Sequence, residues 1–370
     1  MRYFLFTLML LATLSMVACG NSANDATVIS TSPSEQIDPG LNLLIVVEGK
    51  VRLKRDDWPA YHPTAFGAAL GRGDQLYPEQ GAKALVLCDG LTIWTVPPGV
   101  PSGLTNGCPP VPAPPLVRGI SLIGSTRGGS DPFIPYIISP RMTRILSDRP
   151  TLQWNAVRGV SSYTVQVRGE DLQWETEVDE DRIVYPGEPP LELGGTYLLI
   201  VTADNGSSSG DEGAVGLGFT LLTEEEAAPV HAAVEQLKAF GLPSEAEAFA
   251  LAQLYAGQGL IAEAIETLEA LATTGNQETA VYRVLGDLYQ RIGLNPMGEK
   301  YYLKAIELAS AEGDVEGLAA AQAGLGEIYV ELENVSEAIN WLEQALDSYR
   351  TLEDTQNIEK LMARIKVVEP

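Results

Sequence analysis

Apolar residues recur along the chain in two rhythms, and the change from one to the other divides it. LNLLIVVEGKVRLKR opens as a continuous apolar run from Leu41, then alternates beyond Glu48-Gly49, with Val51 and Leu53 on one face. ALVLCDGLTIWTV supplies two further strand-like runs hinged at Asp89-Gly90, a hairpin signal. Residues 41–112 are therefore expected to form a small all-β unit. Alternation resumes later, as Leu152-x-Trp154, then Tyr163, Val165 and Val167, then Tyr197, Leu199 and Val201. Seven or so short strands over 137–222 predict a β-sandwich. Between the two, residues 113–136 continue a run of prolines (Pro109, Pro110, Pro112, Pro114, Pro115) into Gly128-Gly129-Ser130, the composition of a linker.

From residue 223 onward Ala, Leu and Glu dominate and the period becomes helical. Leu251-Ala252-x-x-Tyr255 recurs as Leu285-Gly286-x-x-Tyr289 and again as Leu325-Gly326-x-x-Tyr329. At a fixed distance after each comes a small residue and then a bulky one: Ala264/Leu268, Gly298/Tyr302 and Ala338/Leu342. Small residues let two antiparallel helices approach, and large ones fill the holes so made. The longer second interval places an insertion near Ala311-Glu312-Gly313-Asp314, at a turn between repeats. Residues 227–240, within a 223–243 connecting segment, and 355–367 read as helices that cap a stack over 244–370.

This third pattern resembles the tetratricopeptide repeat. The resemblance implies an all-α solenoid whose groove, lined by the first helix of each repeat, holds a protein partner. By position the groove residues would be Phe249, Gln253, Arg283, Asp287, Gln290, Arg291, Glu327 and Glu331; the alternative is a merely solvated face. The first unit resembles the FecR-like extracytoplasmic domain through Gly49-Lys50-Val51, Gly67-x-x-Leu70-x-x-Gly73-Asp74-x-Leu76, Asp89-Gly90 and Pro98-Gly99. The second resembles fibronectin type III, with Trp154 as its buried tryptophan and Leu191-x-x-Gly194-x-x-Tyr197 as its tyrosine corner. The fold class expected is multidomain: two small all-β domains followed by the solenoid.

At the start, Arg2 precedes an apolar run to Ala18, the layout of a secretory signal over residues 1–19. Met16-Val17-Ala18-Cys19 resembles the lipobox of bacterial lipoproteins, which implies cleavage before Cys19, diacylation of its thiol and attachment to a membrane; an ordinary signal peptide with an incidental cysteine is the alternative. Gly20 in place of Asp favours the outer membrane by the sorting pattern of such proteins. Residues 20–40 are polar and aperiodic, as a tether would be. Cys88 and Cys108 remain, an even number for an oxidising compartment. A disulfide is favoured over two separate thiols and would close a loop of about 20 residues, worth roughly 3 kcal/mol.

Composition excludes more than it identifies. The 370 residues carry 24 Lys plus Arg against 49 Asp plus Glu, a formal charge of −25, which argues against nucleic acid as a partner. With 26 acidic and 9 basic residues from 223 on (26 − 9 = 17), most of that excess lies on the helical region and favours a partner with a basic surface. Two histidines, His62 and His231, leave little for a triad or a His-ligated metal. No Walker loop, HExxH or paired CxxC occurs. The expected function is thus non-catalytic and cofactor-free: interaction or scaffolding at the cell envelope, or else ligand sensing through the FecR-like unit, with a hydrolase of unrecognised site as the remaining alternative.

Overall fold

The computed structural model describes residues 42–109, 128–129, 131–213 and 217–369. The expected leader with Cys19, the expected tether and most of the expected 113–136 linker lie outside them. No helix among the described residues is long and apolar enough to cross a membrane.

The first β-unit stacks two four-stranded sheets. One runs β4 (Ala69–Leu70), β1 (Asn42–Glu48), β6 (Lys83–Cys88), β7 (Thr92–Thr95); the other runs β3 (His62–Pro63), β2 (Val51–Lys54), β5 (Gln75–Pro78), β8 (Ser102–Gly103). Strand β1 pairs antiparallel with β6, Val47 opposite Ala84, and β2 with β5, Leu53 opposite Leu76. Leu44, Val51, Leu53, Trp58, Leu76 and Val86 fill the space between the sheets. Leu43 and Ile45, on the other face of β1, pack among the helices instead. Burial on both faces is why this strand reads as an unbroken apolar run. Asp89-Gly90 does lie in the β6–β7 turn, where Leu91 takes the left-handed conformation (φ 51°). Cys88, at the end of β6, is disulfide-bonded to Cys108.

The second β-unit has a five-stranded sheet, β10 (Thr143–Ile145), β16 (Phe219–Leu221), β15 (Thr196–Ala203), β12 (Tyr163–Arg168), β13 (Gln173–Val178). A three-stranded sheet, β14 (Arg182–Val184), β11 (Thr151–Trp154), β9 (Ile137–Ser139), accompanies it. The alternating residues meet in register, Val165 opposite Val201 and Val167 opposite Leu199, around a fully buried Trp154. The Tyr197 hydroxyl accepts the Glu192 N–H at 2.6 Å, and the Tyr163 hydroxyl that of Val157 at 2.8 Å. The acidic residues 179–181 form the solvated turn between β13 and β14.

Eight helices follow: α1 (Glu224–Ala239), α2 (Ser244–Gly257), α3 (Ile261–Thr273), α4 (Thr279–Arg291), α5 (Asn295–Glu312), α6 (Val315–Glu331), α7 (Val335–Leu352) and α8 (Thr355–Val368). Thr223 opens α1 with a capping box: its hydroxyl accepts the Glu226 N–H while the Glu226 carboxylate accepts the Thr223 N–H. Those hydrogen bonds hold the Glu226 carboxyl below its usual range. The paired helices α2/α3, α4/α5 and α6/α7 are the three repeats. At their crossings the small residues have no room to grow: a methyl on Gly286 would meet the Tyr302 ring at 2.7 Å, and one on Gly326 the Leu342 side chain at 2.7 Å. The insertion between the second and third repeats lengthens helices rather than a loop. Helices α5 and α6 have 18 and 17 residues against 13 in each of α3 and α4, and the turn between them shrinks to Gly313-Asp314.

Candidate functional site

The first helices of the repeats, α2, α4 and α6, continue into α8 as one row. The two ends of that row form rims, and each rim is held by one of the β-units.

The first β-unit sits on the rim made by the helix N-termini. Phe66 lies 4.9 Å from Phe249 of α2, ring to ring, and the next residue, Gly67, approaches α4 so closely that a methyl there would lie 2.2 Å from the Ala280 methyl. Farther along, Arg55 bridges Asp74 of its own unit and Glu316 at the start of α6 through side-chain hydrogen bonds, and also donates to the Ala69 carbonyl at 2.6 Å. Burial raises the Glu316 carboxyl above its usual range, against the pull of Arg55. At the far end the Asp57 carboxylate accepts the Gln356 N–H of α8 at 3.0 Å. Asp74 is thus buried and engaged. Two apolar clusters run without a break from the strands into the helices. A cleft of about 250 Å³ remains in this seam, between Val47, Thr64 and Phe66 on one side and Glu278, Glu312 and Asp314 on the other.

The second β-unit grips the opposite rim, at the turns that end α2 and α4. Arg144 donates its backbone N–H to Gly259 O at 3.0 Å and a guanidinium N–H to Gln258 O at 3.4 Å. Three residues earlier, the buried Arg141 donates Nε–H to Ile292 O at 2.8 Å. Each guanidinium therefore meets the negative end of a helix dipole, and each has a carboxylate of its own: Glu226 for Arg144 and Glu212 for Arg141. The same strand caps the next helix. Leu260, at the N-cap of α3, has no side-chain oxygen, and the Thr143 hydroxyl of β10 accepts the Ile261 and Ala262 N–H groups at 2.8 and 3.2 Å instead. In return, the Glu263 carboxylate accepts the Leu146 N–H at 2.8 Å. The two segments, far apart in sequence, thus satisfy each other's backbone N–H groups reciprocally, as the residues of a capping box do within one helix.

Between the rims lies the polar row expected from the repeat positions, with one correction. Phe249 is not a groove residue: it is completely buried, because the first β-unit covers it. Arg283 and Asp287 pair along α4 at 2.8 Å. Gln290 reaches from α4 to Glu331 on α6 at 3.0 Å, and Glu327 on α6 receives both arms of Arg364 from α8 at 2.6 and 2.8 Å. Tyr302 of α5 braces the row from behind, donating to Asp287 at 2.6 Å; burial, then that carboxylate, hold its phenol well above the usual range. Burial likewise raises the Glu331 carboxyl, opposed by hydrogen bonds from Gln290 and Asn295. Gln253 is half-buried and its Oε1 has no hydrogen-bond partner, while Arg291 is exposed. Arg364 and Asn295 complete the row and escaped the sequence reading, Arg364 because α8 counts there as a cap rather than a wall. No group of carboxylates, cysteines and histidines suited to a metal ion occurs among the described residues.

A family model for the tetratricopeptide repeat matches residues 277–351. The helical region is a tetratricopeptide solenoid. No curated protein matches the chain. Among solved structures, BtubC from P. vanneervenii is 18% identical over 38% of this chain and 71% of its own, with a TM-score of 0.29. A kinesin light chain protein with nearly identical TPR-like repeats from Podosopora anserina is 21% identical over 39% and 89%, with a TM-score of 0.28. MamA is 19% identical over 39% and 90%, with a TM-score of 0.29.

Proposed function

We propose that the protein is a non-catalytic scaffold at a bacterial cell envelope, anchored through Cys19, whose solenoid holds a protein partner along the row of polar residues between its rims. The observation that carries this reading is the row itself. Gln253, Arg283, Asp287, Gln290, Arg291, Glu327 and Glu331 stand on successive first helices, braced by Tyr302 and Arg364 and left between the two β-units. The excess of acid on the helical region favours a basic partner surface and salt-sensitive association. The Cys88–Cys108 disulfide supports an oxidising compartment, where such bonds persist.

Affinity capture from an envelope extract tests the groove. The full chain is expected to retain a discrete partner, and Gln253→Ala combined with Arg291→Glu to release it without loss of fold. Identical capture by both chains would overturn the assignment of the groove. Detergent partitioning tests the anchor, with the full chain expected in the detergent phase and Cys19→Ala in the aqueous phase.

A second reading, ligand sensing by the FecR-like unit, is favoured by the shared apolar core, which couples that unit rigidly to the solenoid. Its mark would be a change in partner affinity when Phe66, in the apolar seam rather than the polar row, is replaced by Ala.

A further inference from the structure

The joint between the second β-unit and α3 leaves one charge unbalanced. Glu263 Oε1 accepts the Leu146 N–H, but Oε2, sealed from solvent, has no hydrogen-bond partner. The groups around it offer no compensating charge. Arg144, the cation of β10, is paired with Glu226 of α1. Tyr255 of α2 is a neutral phenol whose pKa the nearby Glu263 helps to raise, after burial, with Lys238 of α1 acting on it in the opposite sense. Glu266, on the same helix, repels. A buried carboxylate with only backbone donors, the Leu146 N–H and its own N–H, and no counter-ion keeps its proton to higher pH than an exposed one.

We propose that Glu263 makes this joint proton-responsive: protonated, it lets β10 clamp the first turn of α3, and ionised, it loosens the clamp by drawing water to Oε2. Burial pushes the Glu263 carboxyl up to about 7, with the Leu146 N–H and then its own backbone N–H pulling it down and Glu266 adding to the rise. Opening the joint returns the group to an ordinary carboxylate environment near 4.5. Between those two values the closed joint holds a proton that the open one has lost. Closure therefore weakens as pH rises through that window, and it levels off above about 7. The lever acts where the second β-unit meets the solenoid, so it tunes how firmly one rim of the groove is held, whatever the partner.

Hydrogen exchange of the full chain from pH 5 to 8, corrected for intrinsic exchange rates, reads the joint directly. In the native chain the protection of the Leu146, Ile261 and Ala262 amides is expected to fall on the order of 100-fold across that range. Amides in the β12–β15 ladder should stay level. Glu263→Gln should flatten the profile at the joint, and Glu263→Leu, which fills the buried site with apolar bulk, repeats the test if the amide is not accommodated. A flat profile in the native chain, or the same fall in either folded variant, would overturn the proposal.

Discussion

Single residues at the seam show how little tolerance the docking has. Gly67 combines a left-handed backbone (φ 79°) with a near-contact to Ala280, so Gly67→Ala meets both conformational strain and steric overlap. A loss of about 2–4 kcal/mol is expected, measurable as a lower urea midpoint. Phe249→Ala empties a site shared by strand and helix and should cost about 3–5 kcal/mol by the same measure. Arg55→Ala differs in kind, because it leaves Asp74 and Glu316 without their common cation. Destabilisation of about 2 kcal/mol or more at neutral pH should shrink at acid pH, where the raised Glu316 carboxyl is neutral before an ordinary one would be. Phe249 also shows where reading residues in isolation stops. Its place in the repeat pattern puts it on the row of first helices, yet its contact, Phe66, lies 183 positions earlier, and no local pattern encodes which apolar residue meets which.

Among the elements, the strands and helices themselves were legible because each carries a periodic signal. The alternation of Val165, Val167, Leu199 and Val201 became the paired core of the sandwich, and the recurring Leu-small-x-x-Tyr motif became the repeat crossings. The insertion does fall around the inter-repeat turn at Gly313-Asp314, but its residues extend α5 and α6, since a helix can absorb extra residues without breaking its rhythm. A subtler signal lay in the turns after α2, α4 and α6. The first two read Gly259-Leu260 and Gly293-Leu294, with leucine at the N-cap of the next helix, where an oxygen-bearing side chain is ordinarily preferred. The third reads Glu333-Asn334, and Asn334 caps its own helix by accepting the Glu337 N–H at 3.3 Å. Leucine at a cap position marks a helix end covered by another part of the chain. Thr143→Val removes the cap of α3 with little change in volume and should cost about 1–2 kcal/mol, with amide protection lost first at Ile261 and Ala262.

At the scale of the whole molecule, the β-units and the solenoid do not behave as beads on a string. Leu43, Ile45 and Phe66 belong to the same apolar cluster as Phe249, Leu285 and Tyr289. A chain truncated before residue 244 would carry that surface into water, so it is expected to bind a hydrophobic dye and to self-associate, while the intact chain does neither. The disulfide supports the first β-unit from within. Replacing Cys88 and Cys108 together by Ser frees a loop with a sequence separation of 20, at a cost of roughly 3 kcal/mol that a calorimetric midpoint would register.

The borrowed cap on α3 has a consequence for protein engineering. Tetratricopeptide arrays are attractive parts for grafting because each repeat leans mainly on its neighbours. This one would leave its parent with the α3 terminus bare and with Leu260 and Leu294, fully buried in the native chain, facing solvent. Exchanging both for Asn should rescue a transplanted stack, and the same exchange should weaken the parent, where those leucines are packed. Opposite effects of one sequence change in the two settings would measure how far the array has given up its autonomy.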